Sequence, residues 1–453
     1  MHVNGCVSTI GRDTIVAVAT APGRGGIAVV RMSGPESWSA CVALTGRSSL
    51  TPRSLTRVRL SDPRDASLID RGLAVYFPAP ASFTGEDVVE LHVHGGRAVS
   101  GALIEALTSL PGLRPAEPGE FTRRAFENDK FDLTAAEAIA DLVDAETAAQ
   151  RRQALRQMDG ELGALYGAWR GSLLNAMARL EATIDFSDEP IPVELECVVR
   201  QEVRGIVRDM EEHLADGRRG ERLRDGIVVA IVGAPNVGKS SLLNRMARRE
   251  AAIVAETAGT TRDVIEVRLD LGGYPVILAD TAGLRTSENV VEQEGVRRAR
   301  ELAKSADLRL VVLDASAWPV VAGDMVEWID GDALVVVNKI DLGLPDGELF
   351  VGGQIGIAVS ARSGEGLDEL LLVIEGRASQ LCGAGGAPVL TRVRHRLALE
   401  EAVASLGRMC ESSSPEIAAE ELRLACRAIG RIMGRIDIEE MLDVIFREFC
   451  IGK

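Results

Sequence analysis

The period of the apolar positions changes three times along the chain. As far as about residue 128, apolar residues come in short β-type runs, Thr14 to Ala19, Ile27 to Met32 and Val88 to Val93. Turn chemistry separates them: Ala21-Pro22-Gly23-Arg24-Gly25-Gly26 lies between the first two, and His94-Gly95-Gly96 ends the third. This pattern predicts a small α/β domain. From Leu133 the period becomes helical, with Leu173, Met177, Leu180 and Ile184 at heptad spacing. The helical pattern returns after residue 388, in Leu422, Ala425, Ile429, Ile432 and Ile436 and then in Ile438, Leu442, Ile445 and Phe449. Between the two helical stretches, apolar runs at Ile227 to Val232, Val264 to Leu271, Val276 to Ala279, Leu308 to Leu313, Leu334 to Val337 and Ile355 to Val359 alternate with helical segments, as in a doubly wound sheet. The polar stretch Asp216-Gly217-Arg218-Arg219-Gly220 and the glycine-rich Cys382 to Pro388 mark a flexible entry and exit. The expected organisation is a small α/β domain over 1–128 and a helical domain over 129–220 and 383–453, interrupted by an inserted α/β domain over 221–382.

Composition changes this picture little. A chain of 453 residues has room for about three domains with sizeable cores. No apolar run approaches the roughly 18 residues of a membrane span, so no membrane association is expected. Met1 to Gly11 has neither the basic start nor the apolar stretch of a signal peptide. The seven cysteines are scattered and form no Cys-x-x-Cys pair, which fits reduced thiols and a cytoplasmic protein. A net charge of −16 excludes a broad electrostatic sleeve for nucleic acid, so any RNA contact must be local or shared. Basic clusters stand at Arg151, Arg152 and Arg156, at Arg218, Arg219, Arg222 and Arg224, and at Arg392, Arg394, His395 and Arg396; they read as solvated helix or loop faces. His92 and His94 share one face of a strand but lack a third ligand, so no zinc site is expected.

The candidate chemistry begins at Gly233-Ala234-Pro235-Asn236-Val237-Gly238-Lys239-Ser240-Ser241, between an apolar strand and a helix. Glycines at 233 and 238 let backbone N–H groups face phosphate oxygens, Lys239 reaches the β and γ phosphates, and the Ser240 hydroxyl can hold Mg²⁺. Further motifs sit at the carboxyl ends of later strands, where α/β sheets bind ligands. Asp280-Thr281-Ala282-Gly283 offers a carboxylate to Mg²⁺ through water and a glycine N–H to the γ phosphate. Asn338-Lys339-Ile340-Asp341 offers an Asp that can accept two N–H bonds from guanine, a donor pair that adenine lacks, and Ser360-Ala361-Arg362 buttresses the same base. The order and spacing predict a GTP site in a P-loop GTPase domain of the Ras-like, doubly wound kind. Thr261, in Gly259-Thr260-Thr261-Arg262-Asp263, is the candidate hydroxyl ligand that closes on Mg²⁺. Position 284 is leucine, where many GTPases carry the glutamine that orients water. Asn236 can offer a carbonyl oxygen to a monovalent cation in the charge-neutralising position of an arginine finger. Glu292 is a candidate water-orienting carboxylate, with Glu288 and Glu294 close in sequence.

Together these motifs resemble the MnmE (TrmE) family of tRNA modification GTPases over essentially the whole chain. The resemblance rests on Thr20-Ala21-Pro22-Gly23-Arg24-Gly25-Gly26, Phe83-Thr84-Gly85-Glu86-Asp87-Val88-Val89-Glu90, Pro118-Gly119-Glu120-Phe121-Thr122 and Lys130-Phe131-Asp132-Leu133 with Ala136 to Asp141. It also rests on Ala258 to Asp263, on Asp280 to Arg285 and on the terminal Cys450-Ile451-Gly452-Lys453. It implies an N-terminal α/β domain that forms a homodimer and binds a tetrahydrofolate derivative, in the 5-formyl or methylene form. It further implies G domains that pair around potassium, and a hetero-oligomeric complex with the flavoprotein MnmG that modifies the wobble uridine of tRNA. On matching positions, Arg31, Glu90, Lys130 and Lys453 contact the folate. Asn236, Thr260 and the carbonyls of Ala255 and Thr257 bind potassium, Ser240 and Thr261 bind Mg²⁺, and Glu292 positions the hydrolytic water. Glu256, Ala258 and Gly259 complete the segment that lies over the GTP. Ala21 stands where the family often has a second proline, and Asp314 to Asn338 is shorter than usual. Cys450 reads as a packing or folate-site residue, since no histidine base is near in sequence. The alternative reading is a GTP switch that acts as a binding module, for instance in ribosome assembly.

Overall fold

The computed structural model describes residues 13–185, 194–249, 265–280, 297, 300–343, 347–383, 388–436, 439–447 and 449–452. Contacts divide them into two compact units, residues 1–140 with 430–453 and residues 141–429.

The first unit is built on a six-stranded sheet of β1 (Thr14–Val18), β2 (Gly25–Ser33), β3 (Thr56–Ser61), β4 (Leu68–Phe77), β5 (Val88–Gly95) and β6 (Leu113–Pro115), in the order β3-β4-β5-β2-β1-β6. Neighbours are antiparallel except β1 and β6. Alternation along the strands sends Val30, Met32, Val58, Leu60, Val89 and Leu91 to one face, where helices Ser37–Thr45 and Arg97–Thr108 cover them with Leu44, Leu103 and Leu107. On the other face, Phe121 and Ala116 cover Ile15 and Ala17 of β1, while Arg57, Arg59, Arg71 and Leu73 of β3 and β4 stay exposed. The chain end joins this unit. Leu442, Ile445, Phe446 and Phe449, on and just after helix Glu439–Arg447, pack with Leu133 and Ala136. Ile451 pairs antiparallel with Pro118. The approach is close enough to require glycine: at Gly119, with φ +69°, a Cβ would stand 2.5 Å from the Phe446 carbonyl oxygen.

The second unit holds the sheet β14-β11-β10-β7-β9-β8, built from β7 (Ile227–Gly233), β8 (Ile265–Leu271), β9 (Tyr274–Asp280), β10 (Leu308–Asp314), β11 (Ala333–Asn338) and β14 (Ile357–Ala358). All pairs are parallel except β8 with β9. Helices Lys239–Arg249 and Leu367–Cys382 bury Leu242, Leu243, Met246, Leu370 and Ile374 on the sheet. Burial on both faces explains why these strands read as unbroken apolar runs. The run expected as one strand at 355–359 is two pieces. Its start belongs to a hairpin of β12 (Phe350–Val351) and β13 (Gln354–Ile355), and only Ile357 and Ala358 join β11, because Gly356 turns aside to bond the Leu349 carbonyl.

Helices Glu161–Asp185, Glu194–Leu214, Val393–Glu411 and Pro415–Ile432 form the helical part of this unit. In the first of them the buried stripe is Leu162, Tyr166, Trp169, Leu173, Ala176 and Leu180. Leu173 and Leu180 lie where the heptad places them, while Met177 and Ile184 are only half-buried because Ala176 takes the seam. None of the three basic clusters is simply solvated: in the first, Arg156 pairs with Glu161. Arg222 pairs with Asp307, Arg224 and Arg392 share Asp141, and Arg396 clasps both Asp216 and Glu221. The polar entry at 216–220 is thereby held in place, and a Cβ on Gly220 would lie 2.2 Å from the Leu390 carbonyl oxygen.

Candidate nucleotide site

The strand order reverses beside β7, whose chain continuation leads to β8 and β9 on one side and to β10 on the other, and the loop that follows β7 opens into this switch point. Gly233 allows the close pass, since a Cβ there would sit 2.5 Å from the Val312 carbonyl oxygen. Asn236 adopts φ +63° and Gly238 φ +99°, the left-handed turns that aim successive N–H groups inward. Val237 anchors the loop in the core beneath, whereas the Ser241 side chain is exposed. Lys239 is buried and its Nζ donates to the carbonyls of Gly233 at 2.7 Å and Ala234 at 2.9 Å. Its ammonium is therefore held over the loop. The Ser240 hydroxyl donates to Asp280 Oδ2 at 2.5 Å, which places together the two hard oxygen donors that suit Mg²⁺.

The base side is assembled from two strand ends. Asn338, 1% exposed, donates through Nδ2 to the Val237 carbonyl at 2.8 Å and accepts the Ala361 N–H on Oδ1 at 3.0 Å. One amide thus ties the phosphate loop to the base loop. The Ser360 hydroxyl donates to Asp341 Oδ1 at 2.7 Å and accepts the Ser363 N–H at 3.0 Å, fixing the Asp341 carboxylate. Arg362 is exposed beside it. Lys339, at φ +71°, reaches Asp314 Oδ2 at 2.6 Å. Burial pushes the Asp314 carboxyl upward, but its bonds from Lys339 and Ser316 outweigh this and hold it below the usual range. In the sequence Asp314 marks only the start of a shortened stretch, and its pairing with Lys339 is not foreseen. The available signal was its place at the carboxyl end of an apolar run, the same place that Asp280 holds after Val276 to Ala279.

The candidates Ala255, Glu256, Thr257, Ala258, Gly259, Thr260, Thr261, Thr281, Ala282, Gly283, Glu292 and Lys453 lie outside the described residues, as does Leu284.

In the first unit, Arg31 Nε donates to Glu90 Oε1 at 2.9 Å across the β2–β5 pair. The Arg31 guanidinium lies 5.8 Å from the Phe83 ring, which in turn lies 6.0 Å from that of Phe131. Next to Phe131, Lys130 Nζ donates to the Pro80 carbonyl at 2.8 Å. Phe83 therefore connects the Arg31–Glu90 pair to the neighbourhood of Lys130, giving a set of cation, carboxylate and aromatic faces that fits a flat heterocycle with an acidic tail. His92 Nε2 stands 3.6 Å from Glu90 Oε2, and His94 is bonded to Asp70. Among the described residues, no group of three ligand-type side chains could hold a metal ion. Cys450 is exposed.

A doubly wound domain with this loop, this Ser–Asp pair and this Asn–Asp–Ser base site is a P-loop GTPase domain, here accompanied by a small α/β unit and long helices. Residues 14–130 match the family model of the GTP-binding protein TrmE N-terminus, and residues 133–450 match that of the MnmE helical domain. The tRNA modification GTPase MnmE of Paramagnetospirillum magneticum is 58% identical over 441 residues, covering 97% of this chain and 100% of the relative. That of Parvibaculum lavamentivorans is 55% identical over 447 residues, with 97% and 100% covered. The mitochondrial 5-taurinomethyluridine-[tRNA] synthase subunit GTPB3 of Danio rerio is 47% identical over 474 residues, with 99% and 95% covered. The chain belongs to the MnmE family of tRNA modification GTPases.

Proposed function

We propose that this protein hydrolyses GTP to drive modification of tRNA: with the flavoprotein MnmG it adds carboxymethylaminomethyl-type groups at C5 of the wobble uridine, drawing a one-carbon unit from a tetrahydrofolate derivative. The observation that carries the GTP reading is Asn338, bonded at once to the phosphate loop and to the segment beside Asp341. In this reading, loop N–H groups and Lys239 bind the β and γ phosphates, and Asp341 accepts the two guanine N–H bonds. Ser240 and Thr261 hold Mg²⁺, with Asp280 bonded through water; the ion neutralises charge on the phosphates. Asn236, Thr260 and the carbonyls of Ala255 and Thr257 hold potassium where an arginine finger acts elsewhere, and Glu292 orients the water that Leu284 cannot. Arg31, Glu90, Lys130 and Lys453 hold the folate, and the protein works in the cytoplasm as a homodimer. The family membership and the Arg31–Glu90–Phe83 cluster support this reading over a GTP switch in ribosome assembly, which needs no one-carbon carrier. The deciding experiment is nucleoside analysis of tRNA from cells that lack the protein. Loss of the wobble uridine modification, restored by the wild-type chain, is expected; unchanged wobble uridines would sink the reading in favour of the switch.

A further inference from the structure

Charge is unevenly spent in the first unit. Residues 13–130 carry 13 basic and 13 acidic residues, so this segment is neutral within a chain of net charge −16. Its acids are largely committed: Glu120 to Arg114 and Arg124, Glu90 to Arg31, Asp62 and Glu105 to Arg64, and Asp70 to His94. Several arginines are left over at one end of the sheet. Arg59 of β3 stands directly opposite Arg71 of β4, both exposed. A like-charged pair in register costs stability unless an anion neutralises it. The strand directions place the end of β5 and the start of β2 at the same end of the sheet, since Leu73 pairs with His92 and Gly25 with Gly95. There an open cleft of about 670 Å³ is lined by Gly23, Arg24, Gly25, Gly95, Gly96 and Arg97. Arg24 and Arg97 are exposed, and among the described residues neither they nor Arg59 and Arg71 form an ion pair with an acid. Side chains on Gly23 and Gly96 would meet nothing within 4 Å, so the cleft is open to a ligand. From β3 to β2 is three strand spacings, roughly 14 Å. The stripe is therefore long enough to meet several successive phosphates.

We infer that this stripe, Arg59 and Arg71 leading to the Arg24–Arg97 cleft, binds the phosphodiester backbone of tRNA. The inference rests on the tRNA-modification reading and deepens it by placing the RNA contact. It fits the charge balance of the chain: the clusters at 218–224 and 392–396 are tied to Asp307, Asp141, Asp216 and Glu221, while the N-terminal stripe keeps its guanidinium groups available. The contact is backbone positioning and carries no sequence readout, since arginines on an open sheet face meet phosphates and not base edges.

The test titrates the full-length protein with an unmodified tRNA transcript bearing uridine at the wobble position, across a salt series. Arg59→Ala with Arg71→Ala, and separately Arg24→Ala with Arg97→Ala, should each reduce the slope of log affinity against log salt by about two, one per lost phosphate contact. Each pair should weaken binding roughly 10- to 30-fold near 0.1 M salt and leave GTP hydrolysis unchanged, because none of the four touches the nucleotide site. Wild-type slopes in both pairs would overturn the inference, as would a wild-type protein that does not bind the transcript. Sedimentation of the same variants covers the other occupant: conversion to monomers with RNA binding retained would assign the stripe to contact between two copies of this chain. These failures are separable from failure of the tRNA-modification reading, which depends on the nucleosides of cells lacking the protein.

Discussion

Replacing Asn338 by alanine removes one side chain and unties two loops. The Val237 carbonyl loses its donor at 2.8 Å and the Ala361 N–H its acceptor at 3.0 Å, at a position only 1% exposed. Each orphaned buried group costs about 1–3 kcal/mol. In the nucleotide-free protein both loops lie near the surface and can shift to recover water, so much of that cost is deferred until GTP forces them back together. We therefore expect a loss of about 2–4 kcal/mol in binding, which is roughly 30- to 1000-fold in Kd, with a smaller fall in thermal stability. Fluorescent-nucleotide titration measures the first and a melting curve the second. Asn338→Asp serves as the near-isosteric control. Its carboxylate still accepts the Ala361 N–H but sets an oxygen against the Val237 carbonyl, so it should bind GTP no better than alanine. A Kd within threefold of wild type in Asn338→Ala, or a large loss of melting temperature at unchanged Kd, would refute the coupling and leave Asn338 as a packing residue.

Asp341→Asn should move preference from GTP towards xanthosine triphosphate, because an amide cannot accept both guanine N–H bonds; undiminished GTP selectivity in competition would remove the assignment. GTP turnover should require potassium and fall when sodium replaces it, given Asn236 in the loop and leucine at 284, and equal rates in the two salts would refute the cation ligand. In thiol labelling near pH 8 followed by peptide mapping, exposed Cys197 and Cys450 should react first. Cys41, Cys382 and Cys426 should lag by orders of magnitude, since burial pushes each thiol up to about 11 and leaves a thiolate fraction of roughly 10⁻³. Glu120 titrates low: burial raises its carboxyl, but two bonds from Arg114, one from the Glu117 N–H and the Arg124 charge outweigh that. A depressed carboxyl contributes stability above its unfolded value of about 4.5, lost as pH falls through the folded value. Denaturant midpoints should therefore drop below about pH 4.5, and Glu120→Gln should flatten that drop; an identical pH profile in the variant would discard the carboxylate's role.

What could be read from the sequence depended on how far apart the interacting residues lie. The phosphate loop, Asp280, Asn338, Asp341 and Ser360 were legible because each motif is local and sits at a strand end, where the sheet alone dictates its placement. Period identified the long helices, but not their phase: with Ala176 beside Met177, only packing decides which one faces the seam. Long-range partners left no trace. Arg396 and Asp216 are 180 residues apart, so a cluster that looks solvated in sequence proves to clasp the entry to the inserted domain. The association of the chain end with the first unit is of the same kind, since an amphipathic helix at 439–447 announces an apolar face but not that Leu133 and Ala136 will meet it. Lys339 and Asp314 fall between these cases, being 25 residues apart at the carboxyl ends of adjacent parallel strands whose register could be inferred only once both strands were in place.

The two halves of the nucleotide site differ in what binding must change. On the base side Asn338, Ser360 and Asp341 are already joined to one another's loops, so under the proposed assignment guanine would meet a carboxylate fixed by Ser360, with little ordering required of the protein. On the phosphate side, Lys239 holds two carbonyls and Ser240 holds Asp280, and under the proposed assignment phosphate and metal would exchange these bonds for their own. The exchange would be favourable because Lys239 would trade neutral carbonyl acceptors for an anionic phosphate, and the Ser240 and Asp280 oxygens would trade one hydrogen bond for a divalent cation. Selectivity for guanine and affinity for the triphosphate therefore have different physical origins. The first is built into buried hydrogen bonds and should be insensitive to salt, whereas the second depends on charge and on Mg²⁺ and should weaken with both ionic strength and chelation. Asn338 is the point at which they meet, since its amide makes the position of the phosphate loop conditional on that of the base loop.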